Sequence, residues 1–315
     1  MRKVFYFAVV SLLLATSASF AQSTASISEK PPEIASPASN RGFTWYTSAT
    51  GSHDSISGWS SIVESSVRYD FNNKFGVELG VPYYIVHSGY DSTKVVGINK
   101  TPALVSSYNS LGDTALTLHF AAPGSWVGYR STLAGTSPTG DTSSGISTGR
   151  ATFDLNNHFE HSWGRITPFA ELGIGDSSAL VNKAVKHPYT TLGPLSHYKA
   201  GSYFSVLKVF SFEISGYEDL PIGDQKVYSH LFRASKNGTI VRVVNGKKRR
   251  FQSVQVDTGQ GILEDNGLTN SLTISLGPHI ALTGTYQRSL RQSFDTASFG
   301  VAYSFGRRAA ATANY

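Results

Sequence analysis

The chain has 315 residues, a formal net charge of +6 and no cysteine. Only 15% of its residues are charged, against roughly 25% in ordinary soluble domains. Disulfides and thiolate metal sites are therefore excluded, and a positive balance alone does not point to nucleic acid.

The N-terminus, "MRKVFYFAVVSLLLATSASFAQ", sets Arg2 and Lys3 before an apolar run from Val4 to Ala15, with small Ser19 and Ala21 behind it. This is the layout of a secretory signal over residues 1–21, with cleavage expected after Ala21. The run is shorter than the ~20 residues a spanning helix needs. Residues 22–41 are rich in Ser and Pro and read as a flexible periplasmic leader. No later stretch is apolar enough for a membrane helix, so the exported chain is either soluble or a barrel, whose strands give a weak hydropathy signal.

From about Gly42 the pattern has period two. Val63, Val67, Tyr69 and Phe71 alternate with Glu64, Ser66, Arg68 and Asp70. In "KFGVELGVPYYIVH", Phe75, Val77, Leu79, Val81, Tyr83 and Ile85 share one side and Glu78 sits on the other. The same alternation places Leu116 and Leu118 opposite Asp113 and His119, Tyr129 and Leu133 opposite Arg130, and Phe212 and Ile214 opposite Glu213. It returns at Leu272–Leu276, Ile280–Tyr286 and Phe299–Phe305. A period of two with runs near ten residues predicts strands long enough to cross a bilayer at a tilt.

"FDLNNHFEHSWGRITPFAELGIG" (Phe153–Gly175) is one such hairpin. Asp154, His158 and Glu160 share a face, Arg165 and Glu171 continue the polar side beyond the turn, and His161 has the opposite parity. The i, i+2 spacing of His158 and Glu160 admits a metal or acid/base pair, but the cluster is split, and a polar inner wall accounts for it better. No catalytic residue, metal or cofactor is expected.

Tight turns at Asp70–Lys74, Ala121–Ser125, His161–Gly164, Leu207–Val209 and Gly277–His279 alternate with long polar loops, among them Ser88–Ser110, Ser137–Gly149, Ser177–Pro194 and Pro221–Asp265. Aromatic residues gather near the short turns: Tyr69, Phe71, Phe75, Trp126, Phe159, Trp163, Phe204 and Phe210. Short turns at one end, long loops at the other and an aromatic girdle are features of outer-membrane barrels. The predicted fold is all-β: a transmembrane antiparallel up-and-down β-barrel of about twelve strands over residues 42–305. A tail, 306–315, follows, and both chain ends face the periplasm.

"SPTGDTSSGISTGRATFDL" lacks the spacing and the Lys-Ser/Thr of a P-loop, so it reads as turn-rich loop. Together with "KFGVELGVPYYI", "SLGDTALTLHF" and "FGVAYSF" it resembles the transporter-like outer-membrane proteins of the "MetA-pathway of phenol degradation" group, over roughly residues 58–305. That resemblance implies an outer-membrane barrel that moves small, often hydrophobic or aromatic, compounds. It supplies no catalytic residues.

The expected function is a pore or passive transporter in the cell outer membrane. The alternatives are a structural or adhesive barrel, or a lipid-modifying enzyme using His53 with Ser55, or His230. The lumen is expected to be lined by Glu64, Arg68, Glu78, Asp113, Arg130, Asp154, His158, Glu160, Arg165, Glu171, Lys199 and Glu213, with loop Ser88–Ser110 folding inward as a constriction. The partners expected are outer-membrane lipid, the barrel-assembly machinery, which would read Phe299, Val301, Tyr303 and Phe305 on the last strand, and a small-molecule permeant. Nucleic acid is not expected. In "NGTIVRVVNGKKRRFQSV", Asn245-Gly246 predicts a hairpin. Lys247, Lys248, Arg249 and Arg250 cannot face lipid, so they project outward, suited to the phosphates of lipopolysaccharide.

Overall fold

The computed structural model describes residues 41–306, apart from breaks at 55–57, 87–88, 97–100, 106–107, 143–145, 182–188, 230–231, 234–238, 245–246, 253–254 and 259–263 and single positions 123, 125, 208, 292 and 294. The predicted signal and almost all of the leader, and the tail beyond Gly306, lie outside the described residues.

Twelve strands form a closed ring. In chain order they are β1 (Gly42–Asp54), β2 (Gly58–Asp70), β3 (Phe75–Val86), β4 (Thr114–Ala122), β5 (Gly128–Ser137), β6 (Thr152–Glu160), β7 (Ile166–Ser177), β8 (Tyr189–Leu207), β9 (Phe210–Pro221), β10 (Asp265–Ser275), β11 (Ile280–Ser289) and β12 (Asp295–Gly306). Each is antiparallel to its sequence neighbours, and β12 closes on β1, where Phe305 stands opposite Trp45. Closure leaves no open edge, so the backbone N–H and C=O groups of every strand face a partner strand on both sides, with bulges at Gly175–Ser177 and Ser205–Leu207. That matters in lipid, where an unpaired group costs several kcal/mol.

Following the registers once around the ring displaces the chain by about 16 residues, which for twelve strands means a tilt near 40–45° and a backbone radius of about 12 Å.

The alternation read from the sequence is the alternation of the wall. Outward-pointing Val63, Val67, Leu79, Leu116, Leu118, Leu133, Leu172, Ile214 and Val301 are exposed, as they must be to meet acyl chains. Their neighbours along each strand are buried and polar: Ser48, Ser66, Thr117, Asp154, Ser215 and Thr273. Such a protein is apolar outside and polar within, the reverse of a soluble domain. At the short-turn end the aromatic rings run from strand to strand. Phe43 meets Tyr69 at 4.6 Å, Phe75 meets Phe120 at 5.1 Å, and Tyr129 lies 6.0 Å from Phe120 and 5.1 Å from Phe159. This is the predicted girdle, and contacts of this kind add about 0.5–1.5 kcal/mol per pair.

The long loops carry structure of their own. Tyr108–Leu111 pairs with the end of β3. Gly89–Val96 and Thr101–Val105 form a hairpin. Phe232–Arg233, in the loop between β9 and β10, pairs in parallel with Tyr90–Asp91 of that hairpin. Those two loops leave the ring six strands apart, so this pairing joins opposite sides of the mouth. The basic hairpin is also present as backbone: Thr239–Val244 pairs with Lys247–Gln252, with Val244 opposite Lys247. Its Asn245-Gly246 turn lies outside the described residues.

Loop Ser88–Ser110, expected to turn inward as a constriction, spends its described residues on these pairings, one of which carries it across the mouth. The loop between β5 and β6 also tucks in. Ile146, Ser147 and Thr148 are buried there, Ile146 against Tyr84. A neighbouring loop contributes buried Leu180 and Val181.

Candidate functional site

The inner wall holds two rows of titratable side chains across β5 to β10. In the first, register sets Arg130 beside His158, His158 beside Glu171 and Glu171 beside Lys199. His158 is held at both ring nitrogens. Nδ1 lies 2.8 Å from Glu171 Oε1, and Nε2 lies 3.2 Å from Glu160 Oε2. Arg130 donates to that same Glu160 oxygen at 3.0 Å, and Lys199 pairs with Glu213 at 3.0 Å. Phe169 stacks on the His158 ring and on Tyr203, with Lys199 Nζ 5.4 Å from its centroid. Basic and acidic groups alternate along the row, which offsets the cost of holding them away from bulk water.

The other row lies one step nearer the long loops and contains Asp154, His197, Asp219 and Asp265. His197 Nε2 reaches across β7 to Asp154 Oδ1 at 2.9 Å. The intervening strand allows this because it presents Gly173 and Gly175. A Cβ on Gly173 would lie 2.1 Å from the His197 ring, and one on Gly175 would lie 2.7 Å from Asp154 Oδ1. His197 faces Asp219, and Asp219 faces Asp265. Asp265 accepts hydrogen bonds from Tyr217 at 2.9 Å and from Ser289. This row contains no Lys or Arg.

A third group lies on β2–β4. Arg68 pairs with Asp70 at 2.8 Å and His119 with Glu78 at 3.0 Å, and Glu64 faces inward on β2. The remaining arc, β10 to β12 and β1, is different in kind. Below Asp265 its inward positions are chiefly Ser and Thr, including Thr269, Thr273, Thr283, Thr296, Ser304, Ser48 and Thr50. The lumen therefore has a charged wall opposite a hydroxyl wall.

Among solved structures, the chain resembles an outer-membrane channel from Pseudomonas putida F1, with a TM-score of 0.53, 10% identity and coverage of 88% of this chain and 100% of that one. It is also similar to the NanC porin, at a TM-score of 0.46 and 9% identity over 82% of this chain and 98% of that one. For the Pseudomonas putida toluene transporter TodX the values are 0.44 and 8%, over 91% and 95%. At such identities the likeness is one of fold. No protein-family model and no curated protein matches the chain.

Of the residues expected in the lumen, Glu64, Arg68, Glu78, Arg130, Asp154, His158, Glu160, Glu171, Lys199 and Glu213 stand on the inward face of their strands. Two do not line it. Arg165 is exposed in the turn before β7. Gly164, at φ 61°, reverses the chain there, so strand parity does not carry back to residue 165. Asp113 sits at the break beside Gly112, where its Oδ1 accepts the Gly140 N–H at 2.9 Å and ties the β5–β6 loop to β4. The pair His158 and Glu160 does converge, and Glu171 joins it. His161 does not, for its Nδ1 hydrogen-bonds the Trp126 carbonyl oxygen among the girdle aromatics. Among the described residues no group of three or more His, Asp or Glu is placed to hold a metal ion.

Sequence reasoning passed over His197, Asp219 and Asp265, and it placed Asp70 and His119 on the polar side of their strands without counting them in the lumen. Parity with Glu213 would have found Asp219, and parity with Lys199 would have found His197. His53, one of the enzyme candidates, belongs to β1 and packs edge-on against Trp59. Ser55 and His230 lie outside the described residues. So do the side chains of Lys247, Lys248, Arg249 and Arg250.

Proposed function

We propose that this chain is a passive pore of the outer membrane for small polar solutes. The observation that carries the reading is a closed ring of twelve strands whose outer face is apolar and whose inner face is hydroxyls and charges. A backbone radius of about 12 Å, less a layer of side chains on each side, allows a bore on the order of 10 Å before the loops narrow it. A wall of Ser, Thr and carboxylates offers water-like contacts to a polar solute and little to a hydrophobic one. The resemblance to the phenol-degradation group implied hydrophobic compounds. The lining favours polar permeants within the same transporter-like role.

The exposed alternation of Phe299, Val301, Tyr303 and Phe305 suits recognition by the barrel-assembly machinery. The four consecutive cations at 247–250 suit the phosphates of lipopolysaccharide, on the side of the long loops. The pore reading is tested by reconstituting the purified protein in a planar bilayer. Small, discrete current steps are expected, and their absence over all voltages and salts would refute it.

A further inference from the structure

We infer that the lumen selects cations over anions, and that its permeants are monovalent cations, including small solutes bearing an ammonium group. This rests on the pore reading and names the class of solute.

The chain as a whole is basic, with a net charge of +6, yet its lumen is acidic. Among the described inward positions, Arg68, Arg130 and Lys199 are the permanent cations. The inward carboxylates number nine: three on β2 and β3, three on β6 and β7, two on β9 and one on β10. Protonating all three inward histidines, His119, His158 and His197, would still leave carboxylates in excess. The positive balance lies elsewhere, in turns and loops such as Lys74, Arg150, Arg165 and Arg291. The protein thus separates its charges by place, anionic within and cationic at its ends.

The excess is also placed where it meets an arriving solute. In the deeper row each carboxylate has a basic neighbour. In the row nearer the long loops, three carboxylates, Asp154, Asp219 and Asp265, accompany a single imidazole, His197. These carboxylates are buried, at 5%, 7% and 2% exposure, so water screens them weakly and the low-dielectric wall focuses their field along the bore.

A separate observation concerns hydrogen bonding. Asn156 stands between the two rows, and its buried Oδ1 has no partner. Ser52 and Ser66, on inward positions at 0% and 2% exposure, likewise have hydroxyl oxygens without a partner. Of these, only the Asn156 amide oxygen, an acceptor beside Asp154, favours a solute that carries N–H donors or a positive charge; a serine hydroxyl donates as well as accepts and does not discriminate.

The test is a reversal-potential measurement on the full-length mature protein in a planar bilayer under a potassium chloride gradient. The expected potassium-to-chloride permeability ratio is at least about fivefold. A further measurement uses the Asp219→Asn, Asp265→Asn double variant, in which two charges are lost and one of the two oxygens that accept from Tyr217 and Ser289 is kept. The ratio should fall by about half or more. Conductance with a ratio at or below one would overturn the inference while leaving the pore reading intact, as would an unchanged ratio in a conducting variant. If the variant does not assemble, the wild-type ratio decides alone. A wild-type protein that conducts nothing overturns the pore reading and this inference with it.

Discussion

Replacing Gly173 by Ala should destabilise the barrel through one side chain on the neighbouring strand. The added Cβ would lie 2.1 Å from both Cε1 and Nε2 of His197, and its three nearest atoms all belong to that ring. The ring must move, and Nε2 then leaves Asp154 Oδ1, now 2.9 Å away. Losing a hydrogen bond to a buried charged group costs about 1.5–3 kcal/mol. Crowding at the site adds to this, so a loss of about 2–3 kcal/mol is expected for Gly173→Ala. His197→Ala should cost more, about 3–5 kcal/mol, because it strands Asp154 in the wall without its partner.

The discriminating measurement is the double variant. Once the imidazole is gone, the methyl added at position 173 occupies vacated space, and the Gly-to-Ala change becomes neutral or stabilising by a few tenths of a kcal/mol. The coupling energy should therefore be about 2 kcal/mol. Urea unfolding of the barrel refolded into lipid vesicles, followed by the shift in gel mobility between folded and unfolded forms, gives the four stabilities. Additive losses in the cycle would refute the steric account of Gly173.

Two further outcomes are expected. Phe305→Asp places a charge on the outward end of the last strand and should abolish the folded, heat-modifiable band in outer membranes, whereas deletion of residues 307–315 should leave it; the reverse result would mean that the assembly signal lies in the tail. Trypsin added to intact cells should cut between Lys247 and Arg250 without releasing the barrel, and replacing the four cations with Ser should lower lipopolysaccharide co-purification. Cleavage only after the periplasm is opened would place the long loops on the periplasmic side and remove the lipopolysaccharide contact.

The wall was legible in the sequence because its signal is local. Val63 to Phe71 and Phe75 to Ile85 declare their faces by alternation alone, and the Asn72–Lys74 turn between them is short enough to fix which strands pair. The site was less legible because register is not local. His158 and Glu171 are thirteen residues apart and meet only because Glu171 stands opposite His158 across β6 and β7. The contact between His197 and Asp154 depends on what β7 lacks, and a glycine gives no positive signal in a sequence read for charges. Arg165 was misplaced for the converse reason: alternation was extended through a turn whose left-handed glycine breaks it. Loop pairing such as Tyr90–Asp91 with Phe232–Arg233 joins segments more than a hundred residues apart and leaves no periodic trace.

That loop pairing divides the entrance. A tie across a round opening leaves two half-moon portals instead of one central hole. Here it runs from the β3–β4 side to the β9–β10 side, so one portal opens above β4 to β9 and the other above β10 to β3. The former stands over the rows that carry Asp154, His197 and Glu171. The latter stands over the hydroxyl-lined arc and, at its edge, over Glu64, Arg68 and Glu78 of β2 and β3. A solute therefore begins its passage beside one wall rather than on the axis, and which portal it takes decides which chemistry it meets first.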